Sequence, residues 1–209
     1  MFSPQPGIIR LPEPFISGGL PLVEALRMRR SIRVFKPEPI LLYQLSQILW
    51  AAQGISDSHR NLRTSPSAGG TYPLEIYALI GDDGVQQTAS GVYRYNTADH
   101  ILSSVIPEDL RWKLAVAALN QESVAQAPVC LIISAITERT LMRYSLRGER
   151  YIYMEAGHTA QNIYLQATAI GLGTVAIGAF RDAEVRKLLK MHEGEIPLYL
   201  MPLGKPEKL

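Results

Sequence analysis

Two stretches constrain the fold more than any others. Val129–Ile136 is a run of apolar, largely β-branched residues after Pro128, and in Glu75–Ile80 the residues Ile76, Ala78 and Ile80 alternate with Tyr77 and Leu79. A strand with one wet face alternates apolar and polar side chains, so a strand apolar on both faces belongs in the centre of a sheet. Gly91–Tyr95 and Ile101–Val105 form a candidate hairpin around Asn96–His100. Thr174–Ile177 reads as a short strand and Ile196–Leu203 as the last one. Between them lie helical patterns: Pro21 to Arg29 or Arg30, Leu41 to Gln53 with Gly54 as C-cap, Pro107 to about Asn120, Arg150 to about Ile170, and Arg181 through Leu189. Strands and helices interleave without repeat or linker. The expectation is an α+β fold, a mixed sheet between helices. With 209 residues, 47% of them hydrophobic, the chain is expected to form a single domain over residues 21–209. An extended N-terminal arm, residues 1–20, carries Pro4, Pro6, Pro12 and Pro14.

Composition excludes several classes. A net charge of +2 gives no global field toward nucleic acid. The single cysteine, Cys130, rules out an intramolecular disulfide and sits in an apolar run, where it reads as a small buried hydrophobe. No apolar run approaches the roughly 20 residues that span a bilayer, and no targeting segment is visible. A cytoplasmic protein without membrane partners is expected.

Chemistry-bearing residues gather in two stretches. Arg29-Arg30-Ser31-Ile32-Arg33 puts three guanidinium groups and a hydroxyl into five residues. Arginine forks match phosphate oxygens, but cations at a helix C-terminus are also favoured by the helix dipole, and both readings stand. Ser65-Pro66-Ser67-Ala68-Gly69-Gly70 has no bulky side chain, which lets backbone N–H groups approach a flat ring or a phosphate. Thr137 reads as the N-cap of a helix with Arg139, Arg143 and Arg147 at four-residue spacing. That stripe is either a solvated face offset by Glu138 and Glu149 or an anion site. The long helix beginning at Arg150 is rich in small residues, which suits either a dimer core or burial within one subunit. His158 on that helix reads as a hydrogen-bonded core residue.

The set of motifs resembles the nitroreductase-like flavoproteins and is similar to their SagB-type dehydrogenase branch. The resemblance rests on Arg29–Arg33, Ser65–Pro73, the hairpin Gly91–Tyr95 and Glu155–Asn162. It also rests on Gly171-Leu172-Gly173 leading to Ala176–Phe180. It covers Pro21 to Lys205 and implies a mainly antiparallel sheet flanked by helices, with the long helix at the interface of an intertwined homodimer. It further implies FMN bound between subunits. Carried over residue by residue, Arg29, Arg30, Ser31 and Arg33 would hold the phosphate and ribityl chain. Pro66, Ser67, Ala68 and Gly69 would line the isoalloxazine from the partner subunit, and Ile177, Gly178 and Ala179 would run beside the ring with an N–H toward flavin N5. Lys205 would reach the phosphate. No metal and no side-chain catalyst is implied, because the flavin carries the chemistry.

The resemblance implies hydride transfer from NAD(P)H through flavin N5 to a small acceptor, nitroaromatic or quinone-like. Two alternatives remain, a dehydrogenase oxidising azolines or similar substrates and a non-catalytic flavin-binding module. The chain departs from the family in two places. Gly70 and Thr71 stand where many nitroreductases have an Asn, and no lysine lies near Tyr144, Tyr151 or Tyr153 to form the Lys–Tyr pair of azoline dehydrogenases.

Overall fold

The computed structural model describes residues 7–207. The elements in chain order are β1 (Ile8–Arg10), α1 (Leu22–Met28), α2 (Leu42–Gln53), β2 (Ile55–Asp57), β3 (Leu62–Arg63), β4 (Leu74–Ile80), β5 (Gly91–Asn96) and β6 (Ile101–Ile106). Then follow α3 (Arg111–Ala117), α4 (Glu122–Gln126), β7 (Val129–Ile136), α5 (Glu138–Tyr144), α6 (Gly148–Ala169), β8 (Gly173–Thr174), α7 (Asp182–Leu188) and β9 (Glu195–Gly204).

Seven strands form one sheet in the order β1-β6-β5-β4-β7-β9-β8. Every ladder between these named strands is antiparallel. Among the described residues, parallel pairing occurs only at isolated bridges, Ser31 with Thr174 and Ile40 with Val85. The strand β4 lies between β5 and β7 and every one of its residues is buried. Its two apolar faces serve two layers of helices. Ile76, Ala78 and Ile80 pack with Leu131 and Ile133 against Leu45, Ile48 and Leu49 of α2 and Ile152, Ala156 and Ile163 of α6. Tyr77 and Leu79 pack with Cys130 and Ile132 against Leu114 of α3, Val124 of α4 and Val185 of α7. Cys130 is fully buried, and burial pushes its thiol pKa up to about 12. It is the small hydrophobe that its neighbours in sequence suggest.

Several boundaries differ from the sequence reading. Ile8–Arg10, within the N-terminal arm, pairs with Ile101–Ser103 as an edge strand. The helix expected from Pro107 begins only at Arg111, because Asp109 is occupied by the Arg111 guanidinium and by the backbone N–H groups of Asp82 and Arg111. Gly54 does cap α2, but with extended backbone. A side chain there would run into the Trp50 indole, so close packing rather than a left-handed turn requires the glycine. Among the described residues no helix is long and apolar enough to cross a membrane.

Candidate functional site

The arginine cluster follows α1 as an extended strap against one edge of the sheet. The Ile32 N–H donates to the Thr174 carbonyl at 2.9 Å, and the Lys36 N–H to the Lys205 carbonyl at 2.9 Å. Phe35 bridges Pro206. The strap can lie this close because Gly173 has no side chain: a Cβ there would sit 2.8 Å from Ile32. The four cations behave differently. Arg30 folds back, its guanidinium donating to the Arg27 and Arg29 carbonyls at 2.8 Å each, and so serves the C-terminus of α1. Arg29 lies over the Tyr164 ring, 5.1 Å from its centroid. Arg33 is exposed and forms no ion pair among the described residues. Lys205 reaches Glu38 at 2.7 Å, an exposed pair of the kind that contributes little.

Tyr164 joins this strap to the neighbouring segment. Its hydroxyl lies 3.1 Å from Ser31 Oγ and accepts the Ala176 N–H at 2.8 Å. From there the chain runs through Ile177, whose N–H and carbonyl both bond Leu200 at 2.9 Å, to the exposed Gly178 and Ala179. The Gly178 and Ala179 N–H groups find no backbone acceptor among the described residues. Arg29, Ser31, Arg33, Lys205 and the Ile177–Ala179 segment are thus brought to one edge of the sheet.

The small-residue loop lies elsewhere. Ser65 is fully buried and anchors it: its hydroxyl donates to the Ala52 carbonyl and accepts from Thr159 and Asn162 of α6. Ala68–Gly70 form a 3₁₀ turn, with Gly69 at φ 60°. A side chain on Gly69 would collide with the Tyr144 hydroxyl and the Arg143 guanidine. Pro66, Gly69 and Gly70 are exposed, while Ser67 and Ala68 are half-buried. The Ser67 hydroxyl accepts the Tyr72 N–H at 2.9 Å.

The loop rests on α5, and this corrects the reading of the Arg139, Arg143 and Arg147 stripe. Arg139 pairs with Glu75 at 2.7 Å and donates to the Tyr72 carbonyl, and Arg143 donates to the Gly69 carbonyl at 3.1 Å. These two arginines, though exposed, also hold the loop. Arg147 is not on their helix. Ser145, at φ 48°, breaks it, and Arg147 instead lies over the Tyr151 ring at 5.9 Å. Thr137 holds the N-cap position of α5, but its hydroxyl donates to the Gly194 carbonyl. Tyr144 and Tyr151 meet edge to face at 5.1 Å, with arginines rather than a lysine above them. His158 is exposed, against the expectation of a core position.

Comparisons with known proteins bear on this arrangement. The model of the Nitroreductase family matches residues 26–205. The chain belongs to the nitroreductase family. A Methanocaldococcus jannaschii protein whose name places it in the same family is 48% identical over 184 residues, covering 88% of this chain and 90% of that protein. A Ralstonia eutropha structure named for the family superposes with a TM-score of 0.85 at 31% identity, over 97% of this chain and 91% of that one. The NADPH:FMN oxidoreductase of Vibrio harveyi, complexed with NAD+, shares the fold at a TM-score of 0.64. Its identity is 24%, over 90% of this chain and 69% of that one. Membership makes the protein an oxidoreductase, in a family that is generally flavin-dependent.

Within this nitroreductase-family chain, the two predicted halves of the site lie on opposite sides of α6. Thr159 and Asn162 hold the small-residue loop, with Glu155 beside Ser67. Tyr164 holds the arginine strap. At about 100° per residue, Tyr164 points roughly half a turn away from the other three. Two residues central to this layout were missed in the sequence. Tyr164 gave a weak signal, as a polar-tipped aromatic on a helix otherwise read for its small residues. Glu155 was noted only as part of a motif. It is 3% exposed, its Oε1 has no hydrogen-bond partner among the described residues, and burial raises its pKa to about 7. The Ser67 hydroxyl and the Arg63 charge oppose that rise without cancelling it.

Proposed function

We propose that the protein is an FMN-dependent oxidoreductase of the nitroreductase family. It would transfer a hydride between NAD(P)H, flavin N5 and a small organic acceptor, nitroaromatic or quinone-like. The observation that carries this reading is the sheet edge just described. Among the described residues it gathers an arginine without an ion pair, a hydroxyl, a displaceable lysine and two N–H donors without backbone acceptors. That donor set fits a phosphorylated cofactor with a hydrogen-bond acceptor on its ring.

In this reading Arg29, Ser31 and Arg33 hold the phosphate and ribityl chain, and Lys205 joins them on leaving Glu38. Arg30 supports the strap through NH1 and offers its remaining N–H groups. Tyr164 keeps Ser31 and the Ala176 backbone in register. Ile177, Gly178 and Ala179 present N–H groups where negative charge accumulates on reduction, a preorganised electrostatic role. Pro66, Ser67, Ala68 and Gly69 offer a wall without bulk. When bound, FMN supplies the centre that accepts and donates the hydride. The chain's part is to hold, orient and exclude water.

The wall and the strap lie on opposite sides of α6, so one flavin touching both needs two chains. We therefore infer a homodimer with FMN at the subunit interface. The surface supports this. Tyr153 and Met154 are 57% and 52% exposed on α6 beside Gly157 and His158, and Leu22, Val23 and Leu26 are exposed on α1. These exposed apolar side chains are ones that a second copy of the chain would cover. The test is Arg33→Ala. Loss of a charge-assisted phosphate contact should weaken FMN binding by about 2 kcal/mol, or roughly 30-fold. A variant that purifies with a full flavin complement would contradict the assignment.

A further inference from the structure

We propose that the cavity between β4 and β5 is a second ligand site, one that takes an organic carboxylate on Arg63. The cavity, of about 640 Å³, exists because the two strands part. Their ladder ends at Tyr77 and Arg94. Beyond that pair β5 continues with β6 through Tyr95 and Asn96, while Leu74–Ile76 of β4 pair only with β7. The gap is lined by both strands and by Arg63, Tyr72 and Arg139. No residue of the arginine strap or of Ile177–Ala179 lines it.

Three guanidinium groups share this space with one lining carboxylate. Glu75 is already paired with two arginines: Arg94 takes Oε2 at 2.7 Å and Arg139 takes Oε1 at 2.7 Å. Arg63 has no carboxylate within ion-pair distance among the described residues. Its NH1 donates to Gln53 Oε1 at 3.1 Å, and its Cζ lies 4.4 Å from the Tyr72 ring centroid, so most of its donors stay unspent among the described residues. Burial works against its charge. The Glu75 and Glu155 carboxylates support that charge only from beyond ion-pair distance, and a partly desolvated guanidinium without a contacting anion gains from one that completes it.

The setting is built rather than incidental. Tyr72 has φ 44°, a left-handed backbone that is strained for a bulky residue. It is pinned there by Ser67, which accepts its N–H, and by Arg139, which donates to its carbonyl. The result places its ring against Arg63. Strain of this kind is characteristic of ligand clamps. The partly exposed Tyr72 ring beside Arg63 adds an apolar face, which suits an organic carboxylate better than a bare inorganic ion. The volume falls in the range of small-molecule sites, roughly 300–1,000 Å³. The cavity and the free Arg63 donors do not depend on the flavin reading, although Ser67, which pins Tyr72, also belongs to the loop assigned there to the ring.

The experiment is isothermal titration calorimetry on the full chain, with and without FMN, at constant ionic strength. The probes are 4-methylpentanoate, its amide and inorganic phosphate. The carboxylate should bind about tenfold or more tightly than the amide, and tighter than phosphate. Arg63→Gln should cost the carboxylate about tenfold while leaving FMN affinity unchanged. Equal binding of acid and amide, no binding of the acid, phosphate binding as tightly, or unchanged binding to Arg63→Gln would overturn the proposal. If that variant does not fold, the wild type decides. The Arg63 Nε–Hε resonance should shift on adding the carboxylate, and a stationary resonance would overturn the site.

Discussion

Replacing Glu155 with Gln should make the protein's stability less dependent on pH, by an amount the structure sets. Glu155 is 3% exposed, has an unpartnered Oε1, and titrates in the fold at about 7 against 4.5 for an ordinary glutamate. The shift is about 2.5 units, and at about 1.4 kcal/mol per unit it corresponds to roughly 3 kcal/mol. The sign follows from proton counts. Between pH 4.5 and 7 the native state keeps the Glu155 proton and the unfolded state has lost it, so stability falls as pH rises. Above pH 7 both states are ionised and the loss is complete. Urea unfolding at pH 4.5 and pH 8.5 isolates the effect. The wild type should lose about 3 kcal/mol more than Glu155→Gln between the two, with other titrating groups common to both. Parallel pH profiles for the two proteins would refute the claim that this carboxyl is buried without adequate partners. A steeper loss in the variant would refute its sign.

Other consequences follow from the same contacts. Tyr164→Phe removes the acceptor of the Ala176 N–H and the partner of Ser31, and should cost about 1–2 kcal/mol in urea unfolding. An unchanged midpoint would mean that the strap is held without it. Gly173→Ala puts a methyl 2.8 Å from Ile32 and should destabilise by about 1–3 kcal/mol while lowering flavin content, read by denaturant titration and absorbance. Light scattering should show a dimer at micromolar concentration, and a monomer that holds a full flavin complement would sink the interface reading. Cys130 should resist thiol reagents until the protein unfolds, because it is fully buried with its pKa near 12.

Much of the sheet was legible in the sequence. Val129–Ile136 is a strand with the bounds its apolar run suggests, and the hairpin of β5 and β6 follows its alternation. Both signals come from burial, which composition records directly. What tertiary contacts decide was not legible. Nothing in the identity of Ser145 announces a positive φ, so Arg139, Arg143 and Arg147 read as one stripe when two of them hold a loop. The helix α4, five residues long, has too few turns to show a period. The edge strand β1 forms because Ile8–Arg10 find β6, a pairing that a proline-marked arm does not advertise. For the candidate site, the motifs singled out the arginine strap and the small-residue loop. They did not show that Arg30 spends donors on its own helix, that Tyr164 ties Ser31 to Ala176, or that α6 separates strap from loop.

The central claim is that this chain holds FMN for hydride exchange with a nicotinamide. Its most direct test is anaerobic stopped-flow mixing of the FMN-loaded protein with NADH and with NADPH, following the visible flavin band. Rapid bleaching by one or both is the predicted result. A flavin that dithionite reduces but neither nicotinamide touches would contradict the account, and would point to a dehydrogenase with its own reductant or to a binding module.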